Sequence, residues 1–119
     1  MAGRVLVVAD EVDLRYALTD RLTRVGFNVV TATNGAAGMA ILRLWQINGV
    51  LLDMELPDRE GLTMLQQLQL LRARIPVMVM STSEHKKELE AGLQTGAQDY
   101  ILKPLNLELL THKCQRLFA

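Results

Sequence analysis

Four short, mostly aliphatic runs each stop at residues capable of chemistry. Val5 to Val8 leads through Ala9 into Asp10 and Glu11, Val50 to Leu52 stops at Asp53, Val77 to Met80 stops at Ser81, and Asp99 to Leu102 stops at Lys103-Pro104. Carboxylates, a hydroxyl and an ammonium gathered at one place suit phosphoryl transfer onto a carboxylate. Asp53 is the candidate nucleophile, because aspartates form acyl phosphates. Crowded carboxylates repel one another unless a cation lies between them. Mg²⁺ meets that need, since it takes oxygen ligands and keeps several waters. Asp10 and Asp53 are the candidate direct ligands, and a backbone carbonyl just after Asp53 would complete the set. Lys103 would hold one phosphoryl oxygen as a point charge, and the Ser81 hydroxyl another. Metal and lysine together offset the charge of an in-line transition state.

These residues need a scaffold that brings them together. Leu14, Leu18, Leu22 and Val25 recur at helical spacing, with Arg15, Asp20, Arg21 and Arg24 on the other sides and Gly26 past the last turn. Asn28 to Ala32 reads as a strand, and Ala36 to Trp45 as a helix after the Asn34-Gly35 break. Pro57 to Gly61 is a loop, followed by a helix over Leu62 to Arg72 with Leu62, Leu65, Leu68 and Leu71 at spacing three. A charged helix covers Glu84 to Gln94 and stops near Gly96, and a last helix runs from Asn106 to Leu117. Five alternating strand–helix units mean a doubly wound parallel sheet with helices on both faces. Right-handed crossovers leave few topologies, of which the flavodoxin-like order 2-1-3-4-5 is the common one at this size. In such sheets a site lies outside the carboxyl ends of the strands, beside the switch point between strands 1 and 3.

Composition narrows the function classes. The chain has 119 residues, 50% of them apolar, which is one domain's worth and enough to fold without a metal or disulfide. Thirteen basic and thirteen acidic residues cancel, and no basic stripe stands out, so a nucleic-acid partner is not expected. No apolar run reaches bilayer length, and Val5 to Val8 is too short for a signal-peptide core. The single cysteine, Cys114, has no internal partner, which fits a reducing cytoplasm.

Four segments, in order, resemble one family. Val7-Val8-Ala9-Asp10-Glu11, Leu51-Leu52-Asp53-Met54-Glu55-Leu56-Pro57-Asp58-Arg59-Glu60-Gly61, Pro76-Val77-Met78-Val79-Met80-Ser81 and Gly96-Ala97-Gln98-Asp99-Tyr100-Ile101-Leu102-Lys103-Pro104 are similar to receiver domains of bacterial two-component response regulators. The resemblance spans essentially the whole chain. It implies that Asp53 is the phosphoacceptor, Ser81 the switch hydroxyl, Lys103 the phosphate-binding lysine and Tyr100 the switch aromatic. It also implies a cis Lys103-Pro104 peptide and a metal contact from the Glu55 backbone carbonyl.

The chain departs from the family pattern at Ala9, where receivers usually carry the first of two acids. A register shift that makes Asp10-Glu11 the pair would move the core stripe off Leu14, so one acid is missing. The expectation is weakened Mg²⁺ binding, with Glu11 compensating indirectly. Glu55, two residues after Asp53, is the second departure: its carboxylate either supplies the missing charge or crowds the phosphoryl group.

Other features have plainer readings. His85 and His112 read as solvated surface histidines, Cys114 as a core residue, and the charged run from Glu84 to Glu90 as a wetted helix face. The second helix is apolar nearly all round, so Leu44, Trp45 and Ile47 form either an exposed patch or a local extension of the core.

Residues 1–119 are thus read as a single receiver domain without an effector domain. It would take a phosphoryl group on Asp53 from a sensor histidine kinase or phosphotransfer protein, catalysing only its own phosphorylation and dephosphorylation. It would then switch a face that binds an output protein or domain, or a second copy of itself. The alternative is a degenerate pseudo-receiver that binds partners without chemistry. A haloacid-dehalogenase-type phosphatase fits poorly, because Glu55 stands where a catalytic aspartate is needed and Asp53 follows the third strand.

Overall fold

The aliphatic runs become five strands. The computed structural model describes residues 3–71 and 74–118. Strands β1 (Arg4–Val8), β2 (Asn28–Ala32), β3 (Gly49–Asp53), β4 (Val77–Thr82) and β5 (Asp99–Lys103) alternate with helices α1 (Val12–Arg24), α2 (Gly35–Leu44), α3 (Glu60–Leu70), α4 (Lys86–Gln94) and α5 (Leu107–Phe118). All pairings are parallel, in the order β2-β1-β3-β4-β5, as the alternating pattern predicts. Single 3₁₀ turns at Pro57–Arg59 and Ser83–His85 precede α3 and α4.

Strand side chains point alternately to the two faces of the sheet, so each central strand feeds two cores. Leu6, Val8, Val50, Leu52, Val77 and Val79 pack with residues of α2, α3 and α4. Val5, Val7, Leu51, Met78, Met80 and Ile101 pack with residues of α1 and α5. The α1 stripe behaves as its spacing predicts: Leu18 and Leu22 are fully buried, with Leu14 and Val25 against the same cluster. Gly26 follows with φ 99°, a left-handed turn that glycine adopts without Cβ strain. Gly49, at the start of β3, serves close approach instead: a methyl there would overlap the ring of Phe118.

Two local expectations are corrected and one open alternative is decided. The α3 stripe does not extend to Leu71, which is 63% exposed; the buried face is Gly61, Met64, Leu65 and Leu68. At roughly 100° per residue, the run from Leu62 to Leu71 ends about half a turn from where it starts. The expected helix end at Arg72 lies outside the described residues. Helix α4 begins two residues later than Glu84, after the 3₁₀ turn. The apolar end of α2 divides between the two readings offered for it. Ile47 is buried and Leu44 is 82% exposed, while Trp45 lies half-exposed beneath the Arg4 guanidinium, 4.6 Å from its ring centroid.

Candidate functional site

Strand order decides which side chains meet. β1 and β3 are neighbours, with Val8 opposite Leu52, so Asp10 and Asp53 leave the sheet side by side. β3 pairs with β4 and β4 with β5, which adds Ser81 and Lys103 to the same edge.

Asp53 is only 1% exposed, and both carboxylate oxygens are engaged. Oδ1 accepts the Glu55 backbone N–H at 2.9 Å, and Oδ2 accepts Lys103 Nζ at 2.9 Å. Such donors replace the water that burial removes from the carboxylate oxygens. The Lys103 side chain is 15% exposed, and its Nζ also lies 3.2 Å from Glu55 Oε1. Burial alone pushes the Lys103 pKa down. The hydrogen bond to Asp53 and the charges of Asp53 and Glu55 outweigh it and hold the ammonium above the ordinary lysine value.

Beside this pair, carboxylate oxygens of Asp10, Glu11 and Asp53 all lie within 4.8 Å of one another. Oxygens around an octahedral ion at about 2.0–2.1 Å stand about 3–4 Å apart, so small side-chain rotations would close the cluster on a metal. Asp10 and Glu11 are solvent-exposed, which leaves the ion an entry path. Glu11 thus belongs to the cluster directly. Ala9 is fully buried, its N–H paired to the Ala32 carbonyl and its own carbonyl accepting Arg15 Nη1 at 2.7 Å. Helical spacing predicts Arg15 on an outer side of α1; the long side chain instead reaches back over the first turn to the end of β1.

The loop after β3 is held from both ends. Asp58 and Arg59 both have φ 57°, a left-handed conformation that costs non-glycine residues of order 1–3 kcal/mol each. Glu60, the next residue, accepts the Gly35 N–H at 2.8 Å and so ties the start of α3 to the start of α2. A carboxylate at a helix N-terminus also complements the helix dipole. Asn34 caps α2 as well, accepting the Ala37 N–H at 2.8 Å.

Ser81 is fully buried at the end of β4, and among the described residues its hydroxyl makes only a long 3.5 Å contact with the Thr82 carbonyl. Tyr100 on β5 is 39% exposed, and Lys113 Nζ sits 5.3 Å from its ring centroid. The Lys103-Pro104 peptide is cis, as the resemblance implies.

One residue was missed. His85 is not merely solvated: its Nδ1 lies 2.7 Å from Thr82 Oγ1 and 3.5 Å from Glu55 Oε2. The signal available in the sequence is the Thr82-to-His85 spacing, three residues apart at a helix start. The contact with Glu55 spans thirty residues and leaves no local trace. Glu55 therefore faces Lys103 and His85 rather than the acid cluster, and it is Glu11 that stands third among the carboxylates.

Comparison with known proteins agrees with this geometry. The family model described as the response regulator receiver domain matches residues 5–115. The transcriptional regulatory protein QseB of Haemophilus influenzae is 35% identical over 114 residues, covering 96% of this chain and 52% of that protein. The aerobic respiration control protein ArcA of Escherichia coli is 33% identical over 115 residues, covering 97% and 48%. The chain thus spans about half the length of these relatives. Among solved structures, the receiver domain of the TMAO respiratory response regulator TorR superposes with a TM-score of 0.90 at 28% identity, covering 97% of this chain and 95% of that one. The NtrX receiver domain of Brucella abortus gives 0.89 at 27% identity, covering 96% and 97%. Fold, strand-end chemistry and similarity across the chain agree that it belongs to the response regulator receiver domain family, whose standard role is to accept a phosphoryl group in two-component signalling.

Proposed function

We propose that Asp53 is the phosphoacceptor of this receiver domain, with a phosphohistidine of a sensor kinase or phosphotransfer protein as donor. The observation that carries this reading is a buried Asp53 held 2.9 Å from Lys103 and adjoining two further carboxylates. A carboxylate oxygen of Asp53 attacks phosphorus, an O–P bond forms and the donor's P–N bond breaks. The electron pair leaves on the imidazole nitrogen, which takes a proton from solvent. Lys103 shifts from the carboxylate to a phosphoryl oxygen as charge develops there, and Ser81 donates to another. The acyl phosphate ends by hydrolysis: water attacks phosphorus, the bond to the Asp53 oxygen breaks, and phosphate and the Asp53 carboxylate are freed. This self-directed chemistry is the only catalysis assigned to residues 1–119, read as one receiver unit.

The donor set is all oxygen, which suits Mg²⁺ rather than a metal that seeks thiolate or imidazole. Asp10, Asp53 and the Glu55 backbone carbonyl would hold it, with Glu11 in place of the acid absent at Ala9. When bound, Mg²⁺ neutralises the crowded carboxylates and the phosphoryl oxygens.

Ser81 and Tyr100 form the switch in this reading. The phosphoryl group draws the Ser81 hydroxyl in, Tyr100 turns from its half-exposed position toward the vacated space, and a minor conformation gains population. The output side comprises α4, β5 and α5, where Tyr100, Leu102 and Leu109 are exposed beside the Asp99 ion pairs with Lys113 and Arg116. It would bind an output domain or a second copy in the cytoplasm. No described helix is long and apolar enough to cross a membrane.

Intact mass after incubation with acetyl phosphate and Mg²⁺ tests the proposal. A gain of one phosphoryl group, lost in Asp53→Asn and without metal, is the expected result. No gain in folded protein would overturn it and leave a binding module without chemistry.

A further inference from the structure

Glu55 uses both carboxylate oxygens, and they reach different elements. Oε1 is buried and lies 3.2 Å from Lys103 Nζ, an ion pair without hydrogen-bond alignment and with no hydrogen-bond partner among the described residues. Oε2 lies 3.5 Å from Nδ1 of His85, the residue immediately before α4. The same nitrogen lies 2.7 Å from Thr82 Oγ1, so His85 stands between the end of β4 and Glu55. Neither the 3₁₀ turn at Ser83–His85 nor α4 has a side-chain N-cap hydrogen bond. Glu55 thus bridges the end of β5 and the beginning of α4 across the mouth of the phosphoacceptor site. A cavity of about 310 Å³, lined by Leu56, Leu62, His85 and Glu88 among others, opens directly beside it and gives the side chain room to leave.

We infer that Glu55 is a strut that ties the start of α4 to Lys103 in the resting domain and is expelled when Asp53 is phosphorylated. This rests on the reading of Asp53 as phosphoacceptor. A phosphoryl group carries up to about two negative charges and claims the Lys103 ammonium. Glu55 then loses its cation and faces like charge, so it swings into the adjoining cavity. His85 loses its carboxylate partner, and the first turn of α4 loosens. The route from site to α4 is separate from Ser81 and Tyr100, and it uses the carboxylate that the sequence left unexplained.

Hydrogen exchange over residues 83–89 tests the strut, with wild-type phosphoryl uptake followed by intact mass in parallel. In the resting state, Glu55→Ala and His85→Ala should each raise exchange there by about three- to tenfold, the range for one partly buried ion pair or charge-assisted hydrogen bond. Phosphorylation of the wild type should raise it similarly, and phosphorylation of Glu55→Ala should add nothing further. Resting exchange unchanged by both substitutions refutes the strut, even where the wild type takes up a phosphoryl group. A rise in the resting variants without any wild-type uptake refutes release by phosphorylation and the functional reading together. A full further rise in phosphorylated Glu55→Ala assigns the loosening of α4 to another route and also overturns the inference.

Discussion

Replacing Lys103 by methionine keeps the length of the side chain and removes the ammonium that two carboxylates share. Asp53 is 1% exposed and Lys103 is 15% exposed, so the pair sits largely out of water. Breaking a fully buried ion pair by deleting one partner costs about 3–5 kcal/mol, because the other charge is stranded. Two features reduce that here. Asp53 Oδ1 keeps its 2.9 Å bond from the Glu55 N–H, and Glu55 can turn toward solvent. A loss of about 2–3 kcal/mol follows, a fall in melting temperature of roughly 6–12 °C for a domain this size. The pH dependence has a definite sign. The pKa of Lys103 is raised in the folded chain, so its contribution is complete below the unfolded value of about 10.4 and disappears as pH rises through the folded value. Urea unfolding of wild type and Lys103→Met at several pH values should therefore show a constant gap from pH 7 to about 10 that closes above it. A gap under about 0.5 kcal/mol at pH 7 would place the pair among exposed ion pairs of little worth and refute the reasoning. A gap that widens above pH 10 would refute the sign.

Other perturbations read different parts of the molecule. Gly49→Ala should lower the urea midpoint, by about 1–3 kcal/mol in stability, because its methyl overlaps the buried Phe118 ring; an unchanged midpoint would mean that α5 shifts freely. Glu11→Gln should weaken Mg²⁺ binding about three- to tenfold by calorimetric titration, and Ala9→Asp should strengthen it; equal affinities in Glu11→Gln and wild type would remove Glu11 from the cluster. Burial pushes the Cys114 thiol up to about 12, so at pH 8 its thiolate fraction falls roughly a thousandfold below that of a free cysteine; disulfide-reagent labelling should be slow in the native chain and rapid in urea.

The fold was legible because each element announces itself within its own few residues. Val5 to Val8 and Val77 to Met80 are buried on both faces, and the α1 stripe at Leu14, Leu18 and Leu22 obeys helical spacing. Strand alternation then fixed which edge carries Asp10, Asp53, Ser81 and Lys103. The errors arose where a pattern was extended without its geometry. A repeat of three leucines drifts around a helix, which put Leu71 on the wrong side of α3. At the end of α2, the composition of Leu44, Trp45 and Ile47 gave no means of telling them apart. The chain turns between them, so Ile47 is buried while Leu44 stays in solvent, and an arginine forty-one residues earlier covers the Trp45 ring.

The side chains that surround Asp53 separate by the same logic. Lys103 was readable because a strand end fixes where it emerges, and Thr82 opposite Lys103 in the β4–β5 register leaves its ammonium little choice but the end of β3. Glu55 sits on the loop between β3 and α3, which also carries two left-handed residues: Asp58, of a type that enters this region more readily than most, and Arg59, which has no such preference. Its sequence position fits either of the two roles first considered, adding charge to the metal cluster or crowding the phosphoryl group. In the resting structure its carboxylate faces Lys103 and His85, while Glu11 stands third beside Asp10 and Asp53. The acid absent at Ala9 and the acid present at Glu55 are therefore not one substitution compensating another. Glu11 restores charge where a metal would sit, and Glu55 couples the lysine to α4, so mutating them should affect different observables: ion affinity for the first, and order at the start of α4 for the second.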